Sequence, residues 1–178
     1  MYINPISNDS FVQTRNATKS NISDNFKNSF INNGVNRSSH IVYMKKDDML
    51  YSGGNGTGLS FYLKYAQDST DDNPRILAKG VDEYGNEFEQ IIDVKKINPR
   101  NATLPEMRAL EAYSGAEKRF GYSSLPMGSE NVGLNRRQDF LAAFSKNVSD
   151  MNILGEYGLA QKYNKLLSFY EGLAFGWR

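Results

Sequence analysis

The clearest pattern in the sequence is a set of strand-like runs between residues 58 and 99. From Leu59 to Tyr65 every second side chain is apolar or aromatic, which is the two-residue period of a strand with one buried face. A second run covers residues 76–81, and a turn sequence at Gly85 and Asn86 leads into a third run at 87–94. We expect antiparallel strands whose buried face is formed by Leu59, Phe61, Leu63, Tyr65, Phe88, Ile92 and Val94.

Residues 41–58 precede these runs and are predicted to extend the sheet. Residues 41–45 have the composition of a first strand, and residues 49–52 of a short second one. The glycine-rich segment 53–58 raises the question of phosphate binding. A P-loop requires Lys-Ser or Lys-Thr after its last glycine, and a dinucleotide-binding loop requires a helix there. Leu59 and Ser60 open a strand instead, so the segment is interpreted as a flexible hairpin loop.

Residues 68–73 resemble the start of a calcium-binding loop, because oxygen ligands stand at alternate positions. The sixth position is not glycine, and the twelfth is Lys79 where such a loop has glutamate. A solvated acidic connection between two strands is the better interpretation. No metal-binding or cofactor-binding site is predicted.

A helical region follows the strands. Thr103 and Glu106 form a capping box with Pro105 in the first turn, which predicts the start of a helix. Gly115 is typical of a helix C-terminus, so the helix is predicted to end there. Residues 116–133 are rich in glycine, serine and proline and are interpreted as a loop. Two further helices are predicted from apolar residues at helical spacing, one that opens at residues 135–138 and one at 156–174.

Strands followed by helices, without alternation between the two, indicate an α+β fold. We expect a small antiparallel β-sheet within residues 40–96, packed on one face against three C-terminal helices. Residues 39–178 are predicted to form this single domain. The length of 178 residues suits one domain with a tail, and eleven Tyr and ten Phe supply area for its core.

Residues 1–38 are predicted to be a polar N-terminal arm. They contain nine Asn and six Ser, and their scattered apolar residues cannot offset the entropy of ordering a chain. The arm is interpreted as a flexible leader or docking arm, with an uncleaved export leader of the flagellar or type III kind as the alternative. No secretory signal is recognisable, so a cytoplasmic location and export without a cleavable signal both stay open. No apolar run is long enough to predict a membrane span.

The residue types present exclude several chemistries. Cysteine is absent, which excludes disulfides, thiol catalysis and Cys-ligated zinc, and His40 is the only histidine. A net charge of +1 gives no field to recruit nucleic acid, and the dibasic pairs at 118–119 and 136–137 are typical of helix ends. Asp93 and Glu111 could pair in a carboxylate-dependent hydrolase, but no spacing selects them. No catalytic residue is predicted.

The run from Gly80 to Gly115, GVDEYGNEFEQIIDVKKINPRNATLPEMRALEAYSG, resembles a family of uncharacterised proteins from low-GC Gram-positive bacteria. The similarity covers about residues 40–115. The resemblance implies a bacterial origin, and it implies no activity and no role for any residue here.

The end of the final helix is the predicted partner-binding surface. Leu173, Phe175 and Trp177 give an aromatic end to a chain terminus, where residues are usually polar. They either fold back onto the domain or contact a partner protein or a second copy. The sequence thus predicts a non-catalytic binding or assembly module. A small carboxylate-dependent hydrolase and a nucleic-acid-binding or regulatory factor are the alternatives.

Overall fold

The structure is a computed structural model that describes residues 41, 43–121 and 124–176, and the backbone alone at 175 and 176. The predicted arm at residues 1–38 lies outside this part of the chain and stays a prediction, and His40 lies outside it as well. Within it, four strands come first and four α-helices follow, which confirms the α+β class.

The four strands form one antiparallel sheet in which sequence neighbours are also spatial neighbours. The bounds are Tyr51–Gly54 for β1, Ser60–Tyr65 for β2, Arg75–Val81 for β3 and Glu87–Asp93 for β4. A short 3-10 helix at Val94–Lys96 follows β4 directly. This order follows from the hairpin turns, because Asp82 accepts from the N–H groups of Tyr84 and Asn86 and so closes the turn before β4.

One face of the sheet is buried and the other is open, as the alternation in the sequence predicts. Two rows of residues in register form the buried face: Tyr51, Leu63, Ala78 and Gln90 in one, and Gly53, Phe61, Gly80 and Phe88 in the next. Leu59, Phe61, Leu63, Ile92 and Val94 are buried, and Phe88 is half-buried, which confirms six of the seven expected side chains.

The helices cover the buried face and share one hydrophobic core with it. Their bounds are Leu104–Ser114 for α1, Ala116–Phe120 for α2, Phe140–Ile153 for α3 and Tyr157–Gly176 for α4. The start of α1 is the predicted capping box: Thr103 N–H donates to Glu106 Oε2 at 2.8 Å, and the Thr103 hydroxyl accepts from Glu106 N–H at 3.4 Å. Gly115 ends the helix with φ of 68°, the left-handed conformation that glycine permits.

Aromatic side chains fill the contact between α3 and α4. The Phe144 ring stacks on the Tyr170 ring with centroids 5.5 Å apart, and Tyr163 lies 6.4 Å from Phe144. Phe144 and Tyr170 are both fully buried. The apolar residues that predict the last helix therefore face α3, although Leu159 near its start is 42% exposed.

The predicted strand at residues 41–45 was wrong, since the described residues there belong to no strand. A strand needs a ladder of backbone partners. Tyr43 has a different contact, because its carbonyl accepts from the Ser52 hydroxyl and its ring meets the edge of Tyr62 at 5.4 Å. The chain thus lies beside β1 and over the open face of the sheet.

The predicted burial of Tyr65 was also wrong, since the residue is 50% exposed. Tyr65 pairs with Ile76 on one side, but β1 begins opposite Leu63 and does not reach it. Tyr65 therefore has a neighbouring strand on one side only, and its side chain lies beyond the part of the sheet that the helices bury.

Two helix boundaries differ from the prediction. Residues 116–133 are not all loop, because Ala116–Phe120 forms the short helix α2. Helix α3 does not open at residues 135–138, because Gln138 exchanges two backbone hydrogen bonds with Ala102 and is held extended. The cap is Asp139, whose side chain accepts from Ala142 N–H at 2.8 Å.

Two hairpin turns of the sheet hold the segment at residues 130–134, which leads toward α3. Asn55 Nδ2 donates to the carbonyls of Glu130 and Val132 at 2.6 and 2.8 Å. From the other turn, Glu83 Oε2 accepts from Leu134 N–H at 2.9 Å. The glycine-rich segment is therefore a hairpin connection, as predicted, but Gly53 and Gly54 belong to β1, and the loop is anchored through Asn55 where the prediction had it flexible.

Candidate functional site

Two of the three predicted partner-binding residues, Leu173 and Phe175, belong to the C-terminal end of α4. Leu173 is partly buried and packs against the core, so this part of the apolar stripe is used inside the fold. The helix continues through Gly176 and includes the backbone of Phe175. The Phe175 side chain and Trp177 lie outside the described residues, so a partner surface there stays a prediction.

A group of charged side chains is enclosed between α1, β1 and the chain that precedes α3. Arg108 Nη1 donates to Glu111 Oε2 at 2.6 Å, and Nη2 donates to Glu130 Oε1 at 2.7 Å. The side chains of Arg108 and Glu111 are only 14% and 5% exposed. The Ser124 hydroxyl donates to Glu111 Oε1, and the ring of Tyr51 lies against the guanidinium. These five residues are called the Arg108 cluster below.

Burial and charge act together on the proton affinities of this region. Burial disfavours the charge on Arg108, but the adjacent Glu111 outweighs that effect, and the pKa of Arg108 is raised. Burial also raises the pKa of Tyr51, although Arg108 acts in the opposite direction. For Tyr170, beside the cluster, burial and Glu111 both raise the pKa. Arg108 is therefore held as a fixed cation, and Tyr51 and Tyr170 as neutral phenols.

This arrangement resembles a structural ion pair more than a catalytic centre. Both oxygens of Glu111 are occupied, one by Arg108 and one by Ser124. A general acid or base needs a proton that a substrate can reach. Asp93, the other carboxylate considered for hydrolysis, pairs with Lys96 at 2.8 Å, so the structure gives Asp93 and Glu111 different partners.

Strand β4 lies at an edge of the described sheet, with β3 on one side. Backbone hydrogen bonds join Val94 to Pro74 at 3.1 Å and Asp82 to Asn86 at 2.9 Å, and so close the two ends of the β3–β4 ladder. Hydrogen-bonded and non-bonded pairs alternate in an antiparallel ladder. The even-numbered residues of β4 therefore direct their N–H and C=O groups toward β3. The odd-numbered residues point their N–H and C=O groups the other way, where the described sheet has no strand. We call these four residues the β4 edge: Glu87, Glu89, Ile91 and Asp93.

A cavity of about 160 Å³ adjoins the β4 edge at its Asp93 end. Ile91 and Asp93 line it from the strand, and Ile97 and Glu106 line it from the chain that follows. Lys96 forms an ion pair with Asp93 Oδ2, whereas Asp93 Oδ1 is buried and accepts no hydrogen bond from the described residues. Asp93 also stands before the 3-10 helix without capping it through its side chain. The wall of the cavity thus includes a carboxylate one of whose oxygens has no hydrogen-bond partner among the described residues.

Two other exposed surfaces carry apolar side chains. At the turn between α3 and α4, Ile153, Leu154 and Tyr157 are 80%, 67% and 71% exposed. On the open face of the sheet, a groove of about 930 Å³ runs between residues 47–50 and the side chains of Lys64, Leu77 and Ile91. Apolar surfaces of this kind are typical of binding proteins, but neither shows the chemistry of an occupant.

The basic pairs do not form a free cationic face. The Arg119 guanidinium lies 5.5 Å from the ring centres of both Phe120 and Phe169. Arg137 donates to the carbonyl of Asn101 at 2.6 Å and to Glu106 at 2.9 Å. One member of each pair is therefore used within the fold.

The acidic stretch at residues 68–73 is part of a strand connection. Asp68 forms an ion pair with Arg75, and Thr70 accepts from Asn73 N–H at 3.1 Å. Among the described residues, no three His, Cys, Asp or Glu side chains are grouped so as to hold a metal ion. None of the described helices has the length and apolar character needed to cross a membrane.

Comparison of the chain with protein-family models, with curated proteins and with solved structures gave no match. The resemblance to a bacterial family therefore stays a prediction, and the geometry alone supports a function. Sequence reasoning missed the β4 edge and the Arg108 cluster. The edge had a visible signal, since Glu87, Glu89 and Asp93 alternate with apolar and amide residues on a predicted strand.

Proposed function

We propose that this protein is a non-catalytic protein-binding module of bacterial origin, and that it holds an extended segment of a partner protein along the β4 edge. The observation that carries the proposal is the row of outward-facing backbone groups on a strand of seven residues. Such an edge is a template on which another chain can add a strand. Backbone hydrogen bonds would supply affinity, and side chains on alternate positions would supply selectivity.

The arrangement of the charged groups favours binding over catalysis. The most buried carboxylate of the described residues, that of Glu111, is neutralised by Arg108 inside the fold. A hydrolase that uses two carboxyl groups needs both to face one open cleft. A nucleic-acid-binding factor needs a continuous basic face, and Arg119 and Arg137 are engaged elsewhere. Both alternatives are thus less well supported than the binding module.

A second copy of the chain suits the β4 edge less well than a different protein. Antiparallel self-pairing centred on Gln90 would place Glu87 opposite Asp93 at both ends of the new ladder. Like charges directly opposite each other destabilise paired strands. Acidic side chains on an edge therefore act against self-association and leave the edge to a partner of another composition.

The test is a proline substitution that removes one outward donor. The Ile91 N–H points away from β3, so Ile91→Pro takes nothing from the ladder, and proline is tolerated at such edge positions. Ile91→Thr is the matched control, because it changes the same side chain and keeps the N–H. Both variants should melt within a few degrees of the wild type, as monitored by circular dichroism.

The binding measurement uses displayed random segments of twelve residues, selected on the purified wild-type protein. We expect the selected segments to bind Ile91→Thr as they bind the wild type, and Ile91→Pro at least about tenfold more weakly. Hydrogen exchange should show new protection at Glu87, Glu89 and Ile91 on binding, since their N–H groups become paired. Equal binding to the proline variant, or no selected segment at all, would overturn the proposal.

A further inference from the structure

We infer that the segment bound at the β4 edge carries a basic residue at each end, six positions apart, and that one of them enters the cavity beside Asp93. This inference rests on the proposed function and adds the chemistry of the partner. It is drawn from the cavity, from the unpartnered oxygen in its wall and from the distribution of charge along β4.

The cavity beside Asp93 is suited to a cationic donor. Its wall contains two carboxylates, those of Asp93 and Glu106, and one ammonium, that of Lys96, so a second cation is favoured there over an anion. The buried Oδ1 of Asp93 lacks a donor among the described residues. A volume of about 160 Å³ holds an ammonium or guanidinium group, since one water occupies about 30 Å³ of the liquid.

The existing cation at this site can coexist with a second one. Lys96 binds the other oxygen of Asp93, and its side chain is 83% exposed. A carboxylate offers about four acceptor positions, so Asp93 can hold Lys96 and a partner cation together. Glu106 is similarly engaged, because it binds Arg137 at 2.9 Å and caps α1. Neither of these contacts has to break for a partner cation to lie beside the Asp93 carboxylate.

The opposite end of the edge is the second basic position. Glu87 is exposed, and no salt bridge joins it to a cation in the part of the chain that is described. Glu89, between the two ends, already binds Lys79 at 2.7 Å. Ile91 is 45% exposed and suits an apolar neighbour. Residues of an added strand that pair with this edge place their side chains on the same face, within reach of Glu87 and Asp93.

The experiment uses three synthetic peptides of seven residues. Each has valine at its third and fifth positions and threonine at its second, fourth and sixth, so that strand direction does not matter. The two end residues are lysine in the first peptide, glutamine in the second and glutamate in the third. Affinities are measured by nuclear magnetic resonance titration of the full chain and of Asp93→Asn, with Asp71→Asn as the control for net charge.

We expect the lysine peptide to bind about tenfold more tightly than the glutamine peptide, with the glutamate peptide weakest. Asp93→Asn should lower affinity for the lysine peptide about three- to tenfold and leave the glutamine peptide unchanged, whereas Asp71→Asn should change neither. Equal binding of all three peptides to the wild type, lost in Ile91→Pro, would overturn the inference and leave the strand-binding function standing. Binding of none of them, or binding unaffected by Ile91→Pro, would count against both.

Discussion

The guanidinium of Arg108 lies 4.9 Å from the centre of the Tyr51 ring, so a buried cation on the first helix rests against the first strand. The same guanidinium binds Glu111 on its own helix and Glu130 on the segment held by the hairpin turns. One side chain therefore connects the sheet, α1 and the chain that leads to α3. The cation–aromatic contact adds about 1 kcal/mol to what the ion pairs supply.

Removing Arg108 is expected to destabilise the fold strongly. Arg108→Met keeps most of the side-chain volume but leaves Glu111 buried without its counter-charge, which costs about 3–5 kcal/mol of unfolding free energy. Urea unfolding followed by circular dichroism measures the loss. Arg136→Met is the control, since that residue is exposed, and it should change stability by less than about 0.5 kcal/mol. A loss below about 1 kcal/mol for Arg108→Met would contradict the structural role of the cluster.

The side chains on the buried face of β2 should differ in their contribution to stability. Phe61 is 1% exposed, and Phe61→Ala should cost about 3–5 kcal/mol because it leaves a cavity among the core residues. Tyr65 lies on the same face of the same strand but is 50% exposed, so Tyr65→Ala should cost about 1 kcal/mol or less. Equal losses in urea unfolding would show that the helical cover extends further than the structure places it.

Gly80 is expected to tolerate no side chain. It lies in β3 opposite Phe61, and a Cβ there would stand 2.6 Å from the Phe61 Cα and collide with the Ser60 carbonyl. Gly80→Ala must push two strands apart and should cost at least about 2 kcal/mol. Gly172→Ala, in α4 with open space around it, should instead stabilise the protein by about 0.5–1 kcal/mol. A Gly80→Ala variant as stable as the wild type would be inconsistent with this close approach.

Local patterns predict the parts of this fold that depend on neighbouring residues. The period of two identifies β2, β3 and β4, and the capping box and Gly115 fix both ends of α1. The prediction fails where a distant partner decides the conformation. Gln138 looks like part of a helix start, but pairing with Ala102 holds it extended and moves the cap to Asp139. Residues 41–45 look like a strand, but Ser52 and Tyr62 contact them through side chains.

The candidate site depends even more on tertiary structure. The sequence shows acidic residues alternating along β4, but it cannot show that β4 ends the sheet, because strand order is fixed by pairing. The Arg108 cluster combines residues from 51 to 130, and no spacing along the chain brings them together. Burial raises the pKa of Tyr51, whereas the pKa of Arg108 is raised by Glu111 against the effect of burial, and both causes depend on the tertiary structure. The sequence therefore predicts the strands and helices of the fold, whereas the surface proposed for binding becomes visible only in the structure.

The buried hydroxyl of Tyr170 should make stability fall at alkaline pH. Burial raises the pKa of Tyr170 above its ordinary value of 10.0, and the neighbouring Glu111 acts in the same direction. The folded protein therefore keeps this proton at a pH where the unfolded chain has released it. The stability that the neutral phenol contributes is fully present below pH 10 and is lost as the pH rises above it.

Urea unfolding between pH 9 and 11.5 tests this, with Tyr170→Phe as the comparison. The Tyr170 hydroxyl is buried beside Ser124, which already donates to Glu111, so Tyr170→Phe should lie within about 1 kcal/mol of the wild type at pH 7. Above pH 10 the wild type should lose up to about 1.4 kcal/mol per pH unit more than the variant, the limit for one proton. Lysines and the other tyrosines titrate equally in both proteins, so they cancel in the difference. Parallel curves for the two proteins would mean that the Tyr170 hydroxyl reaches water in the folded state.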